Sequence, residues 1–383
     1  MQPEALRCLG SHVRVILATL VLASCGGTPP NQTTDLGSEI YFPKDEITWE
    51  IASPVQLAWD VTTLSRAVSF AREHRSTALL ILYRGRIVTE EYWEVDDLPT
   101  FTHLRNVPSS GMSNAHGRPI EDVGSVQKGI VGLLVGLAHY RGLLELDAPV
   151  SRYLGSGWSQ TTPTQEAEVT LRHLMSMSSG LSRELSYEAA PDEKWFYNTP
   201  AYSRLFDVLS RVSALELNKY TDAWLATPLG MPDTRWALRD GGLNRYGLVT
   251  TARDLARMGL LMLAQGVWNS RRLISENVID LASESSQPLN PAYGLLWWVN
   301  GKRSWDDWTN TGMRAGSFIP TAPNDLIAAR GIGDRKIYVL PSRGLVVTRL
   351  GGFAMHDEDG EPQRRFFDQE FWRLLMGALP AVR

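Results

Sequence analysis

The sequence predicts an α/β fold in which an antiparallel sheet, flanked by helices, is built from both chain ends around an inserted, mainly helical domain. Three observations predict it. "ALLILYRGRIVTEEYW" sets two β-rich runs on either side of Arg84, Gly85 and Arg86, which is a hairpin signal. Strand-like runs return only from about residue 293, in "YGLLWWVNG", "DLIAARGIG", "KIYVLP" and "LVVTRLGG". Between them, from about 101 to 246, the pattern is helical with polar connections. Strands early, helices in the middle and strands late imply one sheet completed by both termini.

In chain order, Arg7 and Arg14 precede an apolar run ending at Ala23. The run has about half the ~20 residues a membrane-spanning helix needs, the pattern of a secretion leader. "LASC" at 22–25 resembles the bacterial lipobox. On that reading 1–24 is a lipoprotein signal peptide and Cys25 is the lipidated first residue of the mature chain. An ordinary secreted protein with an incidental cysteine is the alternative. Cys8, the other cysteine, falls inside the leader, so no disulfide is expected. Residues 25–45, opening "CGGTPPNQTTDLGSE", read as a lipid-anchored flexible tether. The α/β sheet domain is expected over 46–100 and 247–383, and the helical domain over 101–246. "WDVTTLSRAVSFAREH" carries Val61, Leu64, Ala67, Val68 and Ala71 as a helical stripe with Asp60 as N-cap. A closing helix is expected over 366–375.

Composition excludes several functions. The 383 residues carry a formal net charge of −4 with both signs interspersed, so no nucleic-acid partner is expected. Of the 7 histidines none is paired at helical spacing, and no metal or other cofactor is expected. His173, in "LRHLM", reads as a satisfied core histidine. No Gly-x-Ser-x-Gly elbow, Walker loop or dinucleotide fingerprint occurs. Trp297, Trp298, Trp305 and Trp308 are closely spaced; some could line a cleft, with core packing the default for the first two.

The stretch with chemistry in it is "EDVGSVQKGIVGLLVGLAHY", 121–140. The segment after Ser125 is apolar on nearly every side, so the helix it forms should be buried. Residues three apart share a helix face, which brings the Lys128 amine within reach of the Ser125 hydroxyl. Burial disfavours the ammonium and makes the amine a proton acceptor near neutral pH, the activation a serine nucleophile requires. The helix N-terminus adds N–H groups suited to an oxyanion. Gly129, Gly132 and Gly136 would let neighbours pack closely. Against this, Ser-x-x-Lys spacing arises by chance, and a lysine commonly reaches to water.

The stretch resembles the first motif of the serine β-lactamase-like and penicillin-binding-type hydrolases. "LELDAPVSRYL" (144–154), "VTLRHLMSMSSGL" (169–181), "GLVTTARDLARMGLLML" (247–263) and "YGLLWWV" (293–299) resemble further family segments in order and spacing. The likeness is greatest to the class C-related branch that includes esterases and 6-aminohexanoate-dimer hydrolase. It implies a β-lactamase/transpeptidase-like fold, Ser125 as nucleophile and Lys128 as its base. "PDEKWFYNTPAY" (191–202) resembles the second motif and puts Tyr197 at the catalytic tyrosine, with Thr199 where the family often has asparagine. A nearby cation is expected to lower the Tyr197 pKa and suit it to protonate a leaving group. In "IAARGIGDRKIYVLP" (327–341), Ala329, Arg330 and Gly331 occupy the family's Lys-Thr-Gly. The Ile332 N–H would then form an oxyanion hole with that of Ser125. Arg330 either substitutes for the missing lysine in binding a substrate carboxylate or is structural.

The implied function is hydrolysis of carboxylic esters or small linear amides through an acyl-enzyme. The alternatives are a D-Ala-D-Ala peptidase or β-lactamase, and a non-catalytic binding protein that keeps the fold. The expected partners are a small-molecule ester or amide and, through the lipid anchor only, a membrane of the bacterial cell envelope.

Overall fold

The computed structural model describes residues 39–95, 112–240, 245–354 and 366–381. Cys25, the leader and most of the expected tether lie outside them. Among the described residues no helix is long and apolar enough to cross a membrane. Within the segment expected to be tether, aromatic residues follow the Gly, Pro and Thr and find partners. The Tyr41 N–H donates to the Arg84 carbonyl at 2.9 Å. Phe42 packs edge-on against Trp268 with centroids 4.9 Å apart.

A six-stranded sheet runs in the order Arg86–Tyr92, Ser76–Tyr83, Leu345–Gly351, Arg335–Leu340, Ile327–Gly331, Trp298–Val299. Every neighbouring pair is antiparallel, and both chain ends contribute, as the α/β reading requires. Its hairpin turns at Arg84 (φ 47°) and Gly85 (φ 83°), the left-handed pair that matches strand twist. A side chain at Gly85 could not fit, since its Cβ would stand 1.9 Å from the Tyr41 oxygen. Helices cover both faces, which is why the strands read as continuous apolar runs.

Strand alternation decides what each face sees. Ile337 faces the Ala252–Leu263 helix, where Gly259 permits contact so close that a Cβ there would lie 2.9 Å from Ile337 Cγ2. Lys336 and Tyr338 face the opposite way, onto the closing helix Phe366–Ala378, which runs three residues past its expected end. The opening helix Val61–Glu73 starts where Asp60 accepts the Thr63 N–H at 2.8 Å. It buries Leu64, Ala67, Phe70 and Ala71, while Val61 in its first turn stays exposed. Phe70 meets Phe367 of the closing helix at 5.5 Å.

The inserted block carries the buried helix Gln127–Tyr140 and, facing it, the helix Thr199–Ser213. It also holds a small sheet that the pattern does not announce: Glu121–Asp122, Tyr246–Thr250 and Arg235–Leu238 pair antiparallel. These strands are too short to show a period of two. In 293–301 only Trp298–Val299 is a strand, because Leu296 turns the chain at φ 65°. The three glycines of the Gln127–Tyr140 helix receive neighbours as expected. A Cβ would meet Trp297 at 3.0 Å from Gly129, the Leu295 carbonyl at 3.2 Å from Gly132 and Ile274 at 3.0 Å from Gly136.

Candidate active site

The nucleophile turn is built by two glycines. Asp122 accepts the Gly124 N–H at 3.0 Å, and Gly124 takes φ 55°, so the chain turns sharply into the 3-10 turn Gly124–Val126 that carries Ser125. A Cβ on Gly124 would stand 3.2 Å from the Ile332 nitrogen. A Cβ on Gly331 would stand 2.2 Å from the Val123 carbonyl oxygen. Without side chains at 124 and 331, the end of the Ile327–Gly331 strand presses against the turn and sets the Ile332 backbone beside Ser125. Ser125 and Ile332 both lie at the start of 3-10 turns, where N–H groups have no acceptor within the turn. Those are the two donors the sequence proposes for an oxyanion.

Lys128 Nζ lies 3.2 Å from Ser125 Oγ. The lysine is 1% exposed, and among the described residues no carboxylate pairs with it. Burial lowers its pKa from 10.5 to about 7, and the charge of Arg239 pushes the same way. Two aromatic faces bound the amine: its nitrogen is 4.7 Å from the Tyr197 ring centre and 4.8 Å from that of Tyr202. Both faces attract a cation, so they would steady the ammonium once a proton arrives.

Tyr197 differs from expectation in its acidity. Burial dominates and raises its pKa, while a hydrogen bond with Ser125 and the charge of Arg330 only partly offset it. The phenol therefore stays protonated across the physiological range and is a donor, not a phenolate. Its ring stacks on Trp298 at 6.0 Å and stands edge-on to Tyr293 at 6.1 Å. Its N–H donates to Asn310 Oδ1 at 2.8 Å. The neighbouring carboxamide, Asn198, is spent on structure: it caps the Thr199–Ser213 helix and donates to the Leu181 and Ser182 carbonyls at 2.8 Å each. Thr199, one residue on, lines the cavity with a hydroxyl.

The cavity in front of Ser125 has a volume of about 510 Å³. Tyr197, Thr199, Gly331 and Ile332 line it, together with Trp298 and Trp308. Trp297 is fully buried and Trp305 packs elsewhere, so the tryptophan cluster divides between core and cleft. Arg330 also lines the cavity, but its Nη2 is held 2.9 Å from Asp368 Oδ2, and its guanidinium lies 5.4 Å from the Phe318 ring and 5.8 Å from that of Trp298. One of its nitrogens is thus engaged by Asp368. Ala329, at the position of the motif lysine, is 2% exposed and faces Gly129.

Several residues at this site escape a sequence reading. Arg239 donates to both carboxylate oxygens of Asp122, at 2.8 and 2.9 Å, and lines the cavity. Lys336 lies between Asp334 and Asp368. A charged residue inside an apolar run, as in "KIYVL" and "FFDQEFW", was the available signal. His173 is satisfied, as expected: it shares a capping box with Thr170. Among the described residues no cluster could hold a metal ion.

Residues 64–362 match the family model described as Beta-lactamase. An uncharacterised protein of Alkalihalophilus pseudofirmus is 22% identical over 301 residues, covering 71% of this chain and 82% of that one. Among solved structures, a Bacillus anthracis protein assigned as a 6-aminohexanoate-dimer hydrolase aligns with TM-score 0.61 at 15% identity, over 89% of this chain and 90% of its own. A Bacteroides dorei protein assigned as a β-lactamase aligns at 0.60 and 14%, over 84% and 99%. EstCE1, a hydrolase with promiscuous acyltransferase activity, aligns at 0.58 and 16%, over 82% and 98%. At such identities the likeness is one of fold.

Proposed function

The chain belongs to the beta-lactamase family, and from that premise we propose that it is a serine hydrolase cleaving carboxylic esters or small linear amides through an acyl-enzyme on Ser125. The observation that carries the proposal is the Lys128 amine 3.2 Å from Ser125 Oγ, buried and, among the described residues, without a carboxylate partner. A pKa brought to about 7 gives a population of neutral amine at physiological pH. Lys128 takes the hydroxyl proton as Oγ bonds to the substrate carbonyl, and the carbonyl oxygen becomes an oxyanion facing the N–H groups of Ser125 and Ile332. The tetrahedral adduct collapses, the bond to the leaving group breaks, and Tyr197 supplies the proton that group needs. The phenol recovers its proton from the Lys128 ammonium. Water then attacks the ester on Ser125 with the amine again accepting a proton; the bond to Oγ breaks, Lys128 returns that proton to Oγ, and the acid departs.

Esters and linear amides are favoured over β-lactams because Ala329 stands in place of the motif lysine and Arg330 is tied to Asp368. The "LASC" leader supports a lipid anchor on Cys25 and a place at a bacterial envelope. The test is turnover of short p-nitrophenyl esters by the wild type and by Ser125→Ala. The variant should fall to background, and a fluorophosphonate probe should label only the wild type. A variant within about tenfold of wild type would remove Ser125 from the chemistry.

A further inference from the structure

We infer that the loop 306–312 forms the leaving-group side of this site: Asn310 positions Tyr197 to deliver its proton, and Trp308 gives the departing alcohol or amine an apolar surface to lie against. The inference rests on the serine-hydrolase reading above and deepens it, since it names the class of leaving group.

Tyr197 stands just before the Thr199–Ser213 helix, and the residues on either side of it are held by Met177. The Phe196 N–H donates to the Met177 carbonyl at 2.9 Å, and that of Asn198 to Met177 Sδ at 3.3 Å. The Tyr197 N–H goes elsewhere, to Asn310 Oδ1 at 2.8 Å, 113 residues along the chain. A side-chain oxygen of the loop therefore fixes the backbone that carries the phenol. A displaced backbone takes its ring along, and proton transfer tolerates little misplacement.

The loop is braced to hold that oxygen still. At its start Asp306 and Asn290, both buried, exchange hydrogen bonds of 3.0 and 3.3 Å. The Asn290 carbonyl also accepts the Tyr293 N–H at 3.1 Å, and the Tyr293 ring stands edge-on to Tyr197. The Asp307 carboxylate accepts the Thr309 N–H and an Arg314 N–H at 2.9 Å each, and its carbonyl accepts the Asn310 N–H at 3.0 Å. Asn310 itself takes φ 54°, a left-handed conformation that asparagine adopts more readily than most residues.

The same loop faces the cavity. Trp308 and Thr309 line it, and Trp308 is 43% exposed. Two residues of chain span at most about 7 Å, so the bond from Asn310 to Tyr197 also keeps Trp308 on the Tyr197 side. When the tetrahedral adduct collapses, the bond from the carbonyl carbon to the leaving oxygen or nitrogen breaks, and the Tyr197 hydroxyl proton passes to that atom. The departing group must then stand beside Tyr197, and an apolar or aromatic one removes water from the Trp308 ring. Asn310 touches no substrate; it is a positioning residue that acts through Tyr197.

The test compares 4-nitrophenyl butyrate with 4-nitrobenzyl butyrate, which share an acyl group, in kcat/KM, the quantity that reads acylation. Nitrophenol departs as its anion; nitrobenzyl alcohol needs a proton as it leaves. Tyr197→Phe sets the scale and should lose the nitrobenzyl ester by at least about tenfold more than the nitrophenyl ester. Asn310→Gly keeps the left-handed turn without the acceptor and should show the same selective loss. Asn310→Asp restores an acceptor oxygen and should bring the nitrobenzyl ester back to within about threefold of wild type. Trp308→Ala should lower the ratio of benzyl butyrate to ethyl butyrate turnover by about fivefold or more. Because it truncates a half-exposed ring, that variant keeps the test decisive if Asn310→Gly does not fold. Equal losses of the two nitro esters in a folded Asn310→Gly, no recovery in Asn310→Asp, or an unchanged benzyl-to-ethyl ratio would each overturn the inference while leaving Ser125 and Tyr197 in their roles. If Tyr197→Phe lost both nitro esters alike, proton delivery by the phenol would fail in the reading above, and this inference would go with it.

Discussion

Lys128 and Lys336 are each 1% exposed, Lys336 lining the cavity and Lys128 bonded to the Ser125 that lines it, yet their surroundings are opposite. Lys128, on the helix after the nucleophile turn, meets one hydroxyl oxygen and two ring faces. Lys336, on the central sheet, meets Asp334 and Asp368. Burial strips water from both amines alike. What separates them is whether a carboxylate replaces that water. Where none does, the ammonium is disfavoured and the amine can accept a proton; where two do, ion pairs form and the lysine braces the sheet against the closing helix.

The largest expected effect breaks the first half of that contrast. Lys128→Met should lower kcat by about 10²–10⁴, read as loss of the p-nitrophenol burst, and Lys128→Arg should lose as much, since arginine is cationic but accepts no proton. An arginine variant with wild-type bursts would mean that the site needs charge at this position and not a base.

Stability should part the two lysines in sign. Lys336→Met leaves Asp334 and Asp368 short of a counter-ion and should cost about 3–5 kcal/mol in urea unfolding. Lys128→Met should stabilise. The folded-state pKa of about 7 lies below the unfolded 10.5, so between those values the unfolded chain binds the extra proton and stability rises with pH. Below about pH 7 the native state carries the full cost of the buried amine, on the order of 4 kcal/mol, and above 10.5 it carries none. The gain from Lys128→Met should therefore be greatest at pH 7 and below and fade toward pH 10.5. A gain independent of pH would show that packing, not ionisation, separates the variants.

Local features of this molecule are legible from its residues. Arg84 and Gly85 announce the hairpin, Asp60 the first helix, and the spacing of Ser125 and Lys128 their shared face. The apolar residues after Lys128 even signal its burial. What local spacing cannot show is the company a side chain keeps across the fold. Arg330, Lys336 and Asp368 meet only because strand register pairs the first two and a helix from the chain's far end docks over them. The direction of the Tyr197 shift fails for the same reason. A cation, Arg330, does act on it, but burial among Trp298 and Tyr293 outweighs that charge. The three short strands around 121, 235 and 246 are invisible because two to five residues hold too little periodicity.

The smallest expected effect sharpens the contrast without touching either lysine. The charged group that bears on Lys128 is Arg239, which lowers its pKa through space; Ser125, Tyr197 and Tyr202 otherwise surround the amine. Because the base works only when neutral, kcat/KM should rise with pH through about 7. Arg239→Gln removes a positive charge and takes the guanidinium away from the Asp122 carboxylate, and both changes favour the ammonium. The acid limb should therefore move to higher pH. Arg239→Lys keeps the charge beside Asp122 and should leave the limb in place, although lysine cannot reproduce the two-oxygen clasp. If the limb moved equally in both variants, the clasp would matter through geometry. If it moved in neither, burial alone would set the lysine, and the difference between the two amines would reduce to the presence or absence of a carboxylate.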